Sequence, residues 1–190
     1  VEELNVWPYI VQFSWVVYDI EEMDILKVED HIIKLKNDMK IPSSSTKIHG
    51  ITNEIMDDKG KSIEQVLYKF NEDILDCGLC VAHNLKFDKS MVLVESKRNN
   101  LDLSFDEKVE FCTMLYGEKI CNLKRLNYKN EEVSKYPKLI ELYEKLFGET
   151  PTNLHNSLYD VLVCLRCFYK LRFNEDLLTV DDKLAGYQCF

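Results

Sequence analysis

The sequence predicts an α/β layered domain, with an antiparallel strand pair first and helical crossovers after it. Three observations predict it. Two β-rich runs near the N-terminus are separated by only a short polar turn. Four apolar runs of helical period follow, around 63–74, 87–94, 139–146 and 158–168. Short apolar runs of strand length, 79–82 and 109–114, are interleaved with them. Strands mixed with helices in this order build a layered α/β domain.

Each element has its own signal. YIVQFSWVVY, 9–18, is β-branched and aromatic and predicts a buried strand. Asp19 to Asp24 is a polar turn, and ILKVEDHIIKL, 25–35, partly alternates as a second strand. So short a turn makes the pair an antiparallel hairpin. IPSSSTKIHGIT, 41–52, holds Pro42, three serines and Gly50, and its turn chemistry predicts a loop. Ser62 and Gln65 fit a capping box ahead of Ile63, Val66, Leu67, Phe70 and Ile74. LCVA, 79–82, predicts a buried strand, and Phe87, Met91 and Val94 predict a helix from about Leu85. VEFCTM, 109–114, predicts a fourth strand. Leu139, Leu142, Tyr143 and Leu146 predict a helix stopped by Gly148. Leu158, Val161, Leu162, Leu165 and Phe168 predict the last helix.

Composition bounds the function. The 190 residues suit one domain with a real core. No apolar stretch reaches the roughly 18 residues of a membrane span, so no membrane role is expected. Val1 is followed by two glutamates, which is not the start of a secretory signal. Seven cysteines, an odd number in no small-domain pattern, point to reduced thiols and an intracellular, cytoplasmic or nuclear, protein. Cys77/Cys80 and Cys164/Cys167 have C-x-x-C spacing. They lie in or beside apolar strand and helix patterns, so buried core thiols are the better account than a zinc site. A net charge of −9 argues against broad coating of nucleic acid, but not against a small site that holds cations. The Lys-rich stretch from Lys119 to Lys138 is a local basic face or simply a solvated surface.

The candidate chemistry gathers at element edges. Asp88 falls in the first turn of the helix after LCVA, and Asp160 early in the last helix. A carboxylate there can reach a hard cation, though a lone one also stabilises the helix dipole. His155 precedes Asp160 by five residues. On one continuous helix the two would point roughly 140° apart. His155 is therefore expected in the entry loop, with Asn153, Asn156 or Ser157 as the cap. A loop histidine beside a helix-borne carboxylate suits a general base next to a metal ligand. An exposed loop histidine without a role is the plainer alternative.

VAHNLKFD (81–88) and HNSLYD (155–160) resemble the second and third motifs of the DEDDh, or DnaQ-like, 3′–5′ exonucleases. IPSSSTKIHGIT and LYEKLFGE match further segments of that family, and the resemblance runs from about Tyr9 to Leu171. It implies an RNase H-like three-layer α/β domain with a mixed sheet, antiparallel first and parallel later, flanked by helices. It implies an exonuclease-like domain over 1–175 and a C-terminal tail over 176–190. The implied activity is hydrolysis at single-stranded DNA or RNA 3′ ends with two Mg²⁺ or Mn²⁺ ions. Asp88 and Asp160 would help hold the metals, and His155 would deprotonate the water. Asn84 and Phe87 would position the strand, and His49, Gly50 and Ile51 would pack around the terminal nucleotide. A homodimer or a polymerase-type partner is admitted by the family.

One motif is missing. The family's first strand carries Asp-x-Glu in a D-x-E-T-T-G-like string, and no such string is present. Glu2 and Glu3 are adjacent, so on a strand they would point to opposite faces. Asp19, Glu21 and Asp24 fall in the hairpin turn. The simplest expectation is a piece of a longer protein. The rivals are a strand lent by another chain and a degenerate, non-catalytic domain kept for nucleic-acid or partner binding.

Overall fold

The computed structural model describes residues 4–105, 108–180, 184–187 and 189–190. Six strands and seven helices are assigned among them. They are β1 (Gln12–Asp19), β2 (Asp24–Ile32), α1 (Ser43–His49), α2 (Asn53–Lys59), α3 (Ile63–Leu75), β3 (Leu79–Ala82), α4 (Leu85–Arg98), β4 (Val109–Cys112), α5 (Thr113–Cys121), β5 (Lys124–Leu126), β6 (Glu132–Ser134), α6 (Leu139–Phe147) and α7 (Ser157–Phe173). The strands pair as β1–β2, β3–β4 and β5–β6. The β1–β2 and β5–β6 pairs are antiparallel, and a parallel bridge joins Ile33 to Lys61. The chain divides into two compact units. The first is Val1–Cys80, Lys86–Val109 and His155–Leu158; the second is Val81–Leu85, Glu110–Leu154 and Tyr159–Phe190.

In the first unit the hairpin sorts its side chains by alternation. Phe13 and Trp15 share one face with their partners His31 and Glu29. That face meets α3: Phe70 lies 5.0 Å from Phe13 and 5.4 Å from Trp15, ring centre to ring centre. Trp15 Nε1 donates to Asp73 Oδ2 at 2.8 Å, which satisfies the one polar atom of the buried indole. Gln12 and Ser14, with Ile32 and Asp30 opposite, share the other face. The segment before β1 is tied to α4, where Arg98 donates to the carbonyls of Leu4, Trp7 and Pro8.

The expected loop at 41–52 is instead a short helix. Ser45 and Thr46 N–H groups donate back to Pro42 O, and Gly50 closes α1 at φ 76°. Pro at a helix start and Gly just past its end are helix boundaries as well as turn residues, and that ambiguity hid α1. Two further helices had no clear signal. Thr52 caps α2 by accepting from Ile55 N–H at 3.2 Å. α5 begins at Thr113, inside the run expected to be strand, so the strand stops at Cys112. β2 ends at Ile32, three residues short of its apolar pattern. β5 and β6 are three residues each, too short to leave a periodicity. The Ser62 cap holds, with its Oγ accepting from Gln65 N–H at 3.4 Å.

In the second unit, Leu142, Tyr143, Leu162, Val163 and Cys167 are fully buried. α5 packs on α6 through Gly117, where an added Cβ would fall 2.7 Å from Leu142 Cδ1. Beyond Asn174, Leu177, Leu184 and Cys189 are buried in this unit, and Arg166 binds Asp176. Among the described residues no helix is long and apolar enough to cross a membrane.

Candidate active site

β3 delivers the chain to His83 and Asn84, and α4 starts at Leu85. His83 Nε2 lies 3.0 Å from Pro137 O, and Nδ1 lies 3.0 Å from Thr113 Oγ1. A carbonyl only accepts, so Nε2 carries the proton and Nδ1 accepts from the threonine hydroxyl. Both ring nitrogens are thereby engaged. Burial holds the ring neutral by pushing its pKa below the usual histidine range. His83 is a pin within the second unit, and Thr113 passes the contact on to Cys164 Sγ at 3.6 Å. Asn84 takes φ 68°, in the left-handed region that Asn tolerates better than most residues, and its side chain is exposed.

Asp88 lies in the first turn of α4 and is exposed. Phe87 beside it is 47% exposed, with its ring 6.3 Å from that of Trp7. Asp160 lies in the first turn of α7 and is partly buried. His155 stands outside α7, in the turn before it, exposed and at φ 75°. Asn156, one of the three expected caps, accepts from Leu158 N–H through its Oδ1 at 3.1 Å. Gln12 reaches the same turn from β1, its Oε1 accepting from Ser157 N–H at 3.1 Å.

His49 ends α1. Its Nδ1 accepts from Ile51 N–H at 3.1 Å, which leaves the proton on Nε2. That Nε2 has no hydrogen-bond partner among the described residues. Burial lowers the pKa of His49 as it does that of His83. A Cβ on Gly50 would meet nothing, so its positive φ is what favours glycine there. Ile51 is 6% exposed and packs with Ile41 and Met56. The first unit therefore holds His49, Gly50, Ile51, Phe87, Asp88 and His155, and the second holds Asn84 and Asp160.

Mg²⁺ and Mn²⁺ are hard cations that take oxygen donors, and a pair of them needs several carboxylates. Asp88 and Asp160 give two. Among the described residues no three His, Cys, Asp or Glu side chains gather where they could hold a metal. The donor set on its own does not fit two cations. Glu2 and Glu3 lie outside the described residues. Asp19 is engaged in its turn, accepting from the N–H groups of Glu21 and Glu22 at 2.9 and 3.0 Å. The Cys164/Cys167 pair does not substitute. Cys164 and Cys167 are buried on α7, and burial holds the Cys167 thiol far above its usual pKa, against thiolate ligation.

Two long-range contacts beside the candidate residues escaped the sequence. Gln12 reads as one polar position in a β-branched, aromatic strand, and Thr113 as part of a strand. Their partners lie too far along the chain for local spacing to mark them.

Comparison with known proteins gives the class. A family model described as exonuclease, of the RNase T type, matches residues 4–168. The chain belongs to that family, of the DEDDh, DnaQ-like kind. Among individual relatives, it is 28% identical over 177 residues to a DNA polymerase III of PolC type from Mycoplasmopsis pulmonis (strain UAB CTIP), covering 84% of this chain and 11% of that protein. The chain thus spans about a tenth of the length of that curated relative. Exonuclease X in complex with 5′ overhanging duplex DNA superposes with a TM-score of 0.57 at 23% identity, covering 87% of this chain and 84% of that one. E. coli exonuclease I in complex with a dA16 oligonucleotide gives 0.61 at 16% identity, covering 85% and 37%. Exonuclease I from Methylocaldum szegediense gives 0.61 at 14% identity, covering 92% and 40%. The fold is the RNase H-like α/β fold, with antiparallel and parallel strands and flanking helices.

Proposed function

We propose that the chain forms the core of a 3′–5′ exonuclease that hydrolyses phosphodiester bonds at single-stranded DNA or RNA 3′ ends. The observation that carries this reading is the placement of His155. It stands exposed in the turn ahead of α7, outside the helix that bears Asp160 in its first turn. A base so placed can take a proton from an attacking water while the helix presents its carboxylate separately. Asp88, at the start of α4, offers a second carboxylate. Asn84 and the exposed Phe87 position the substrate strand, with Phe87 giving a stacking face, and the His49-Gly50-Ile51 segment packs around the terminal nucleotide. The family context and DNA-bound neighbours support DNA as a substrate, and the PolC-type relative supports a polymerase setting. Mg²⁺ or Mn²⁺ is the expected cofactor once the carboxylate set is complete. A two-cation site needs further carboxylates beside Asp88 and Asp160, such as an Asp-x-Glu strand supplied in addition to these 190 residues.

The test uses a 5′-labelled single-stranded oligonucleotide with Mn²⁺. Two proteins are compared, the 190-residue chain and a form carrying an Asp-x-Glu strand ahead of Val1. The longer form is expected to shorten the substrate from its 3′ end. His155→Ala is expected to lower that rate about 100- to 10,000-fold, the usual worth of a general base. Cleavage by both forms would refute the external carboxylates. No cleavage by either, with the oligonucleotide still bound, would favour a non-catalytic binding domain. The incomplete donor set is the observation on that side.

A further inference from the structure

The turn that carries His155 is held from the far end of the chain. Gln12 Oε1 accepts from Ser157 N–H at 3.1 Å. Gln12 Nε2 donates to Asp30 Oδ1 at 2.8 Å and lies 3.5 Å from Asn156 Oδ1. Ser14 Oγ donates to the same Asp30 oxygen at 2.7 Å. All these groups belong to the first unit. Gln12, Ser14 and Asp30 share the hairpin face that α3 does not cover. Asp30 takes only donors, so it turns the Gln12 amide nitrogen toward itself and leaves the amide oxygen for Ser157. The residues just ahead of the held segment are not relaxed. His155 has φ 75° and Asn153 φ 57°, in a region that disfavours L side chains. Such a turn persists only where its surroundings over-determine it.

We propose that Gln12 is a positioning residue, which together with Asp30 fixes the left-handed turn at His155 and so sets where that imidazole stands. The proposal rests on the reading of His155 as the general base. It needs a side chain that donates and accepts at once. Methionine matches glutamine in length and can do neither. Glutamate can accept from Ser157 but faces the Asp30 carboxylate.

The experiment has two arms. Hydrogen exchange at the Ser157 amide is followed in the 190-residue chain. As the first residue of α7, Ser157 has no backbone acceptor within the helix, so its protection reports on Gln12. Turnover is followed in the form that cleaves the oligonucleotide. Gln12→Met is expected to speed Ser157 exchange while the β1–β2 amides keep their protection. It is expected to lower kcat about 10-fold or more with KM unchanged. Gln12→Glu is expected to do the same. Gln12→Glu combined with Asp30→Asn is expected to recover both readouts, because the new amide donates to the new carboxylate. Unchanged Ser157 exchange in Gln12→Met overturns the proposal, as does equal loss of protection across the hairpin. Faster Ser157 exchange with unchanged turnover overturns its catalytic half. If His155→Ala is without effect, the general-base reading fails, while the exchange arm still decides whether Gln12 holds the turn.

Discussion

Arg166 shows how a charged residue survives in a core. It is 5% exposed on α7 and donates to Asp176 through Nε and Nη2, to Glu149 at 2.8 Å and to Tyr143 Oη. Its guanidinium carbon lies 4.0 Å from the centre of the Phe147 ring. The two acids are not equivalent. Asp176 meets the arginine bidentately, and that contact holds its carboxyl below the usual range. Glu149 has a side chain 54% exposed and keeps its water. Arg166→Met is therefore expected to cost about 3–5 kcal/mol, and Glu149→Gln no more than about 1 kcal/mol. Urea midpoints compare them, and equal losses would show that Asp176 is not the partner that matters. At this same scale His83 and Asn84 part company. Neighbours in a motif, one is locked by two hydrogen bonds inside the second unit and the other is exposed.

Among the elements, α1 and α3 were not equally legible. α3 announces itself through Ser62 and a run of apolar residues at helical spacing, and it is where the pattern put it. α1 is only seven residues long, with no buried residue and no side-chain cap. Its helical state comes from its ends, Pro42 and Gly50, which also spell a turn. Close packing between elements gives a graded prediction at two glycines. At Gly117 an added Cβ meets the far end of Leu142, which is itself fully buried. At Gly60 it would fall 2.3 Å from Met56 O, part of the backbone, and 2.9 Å from Lys34 Cβ. Gly117→Ala is expected to cost about 1–3 kcal/mol by overpacking, and Gly60→Ala more, because a carbonyl cannot swing aside as a leucine methyl can. Thermal unfolding of the two variants checks the order, and a reversed order would rule out the backbone clash at Gly60.

The whole molecule should weaken in acid in two stages. His31, His49 and His83 all have pKa values lowered by burial. Above about 6.5 the rings are neutral folded or unfolded, and nothing is lost. As pH falls below that value, the unfolded chain binds protons that the folded chain resists. Stability therefore declines from about pH 6.5 down to the folded pKa values. A second decline comes from carboxylates. Glu64 is brought down to about 2 by hydrogen bonds from Lys36 and then Ser62. Its contribution is whole above the unfolded value of 4.5 and is lost as pH drops toward 2. Denaturant titrations at about pH 7.5, about 5.5 and about 3.5 bracket these ranges and are expected to show both stages. His83→Leu should reduce the first slope, and an unchanged slope would mean that His83 takes up its proton as freely as it does unfolded.

Local spacing carried a definite part of this protein. The hairpin, α3, α4, α6 and α7 were legible in the chain, as were the edge positions of Asp88 and Asp160 and the exit of His155 from its helix. Periodicity, caps and breakers act within a turn or two, so they leave their mark on neighbouring residues. Only folding made His83 a pin and brought Gln12 to the His155 turn. The difference is one of range. Gln12 and Ser157 are 145 residues apart, and Thr113 and Cys164 are 51 apart. A hydrogen bond between such groups needs the whole chain folded before either residue looks different from any other polar side chain.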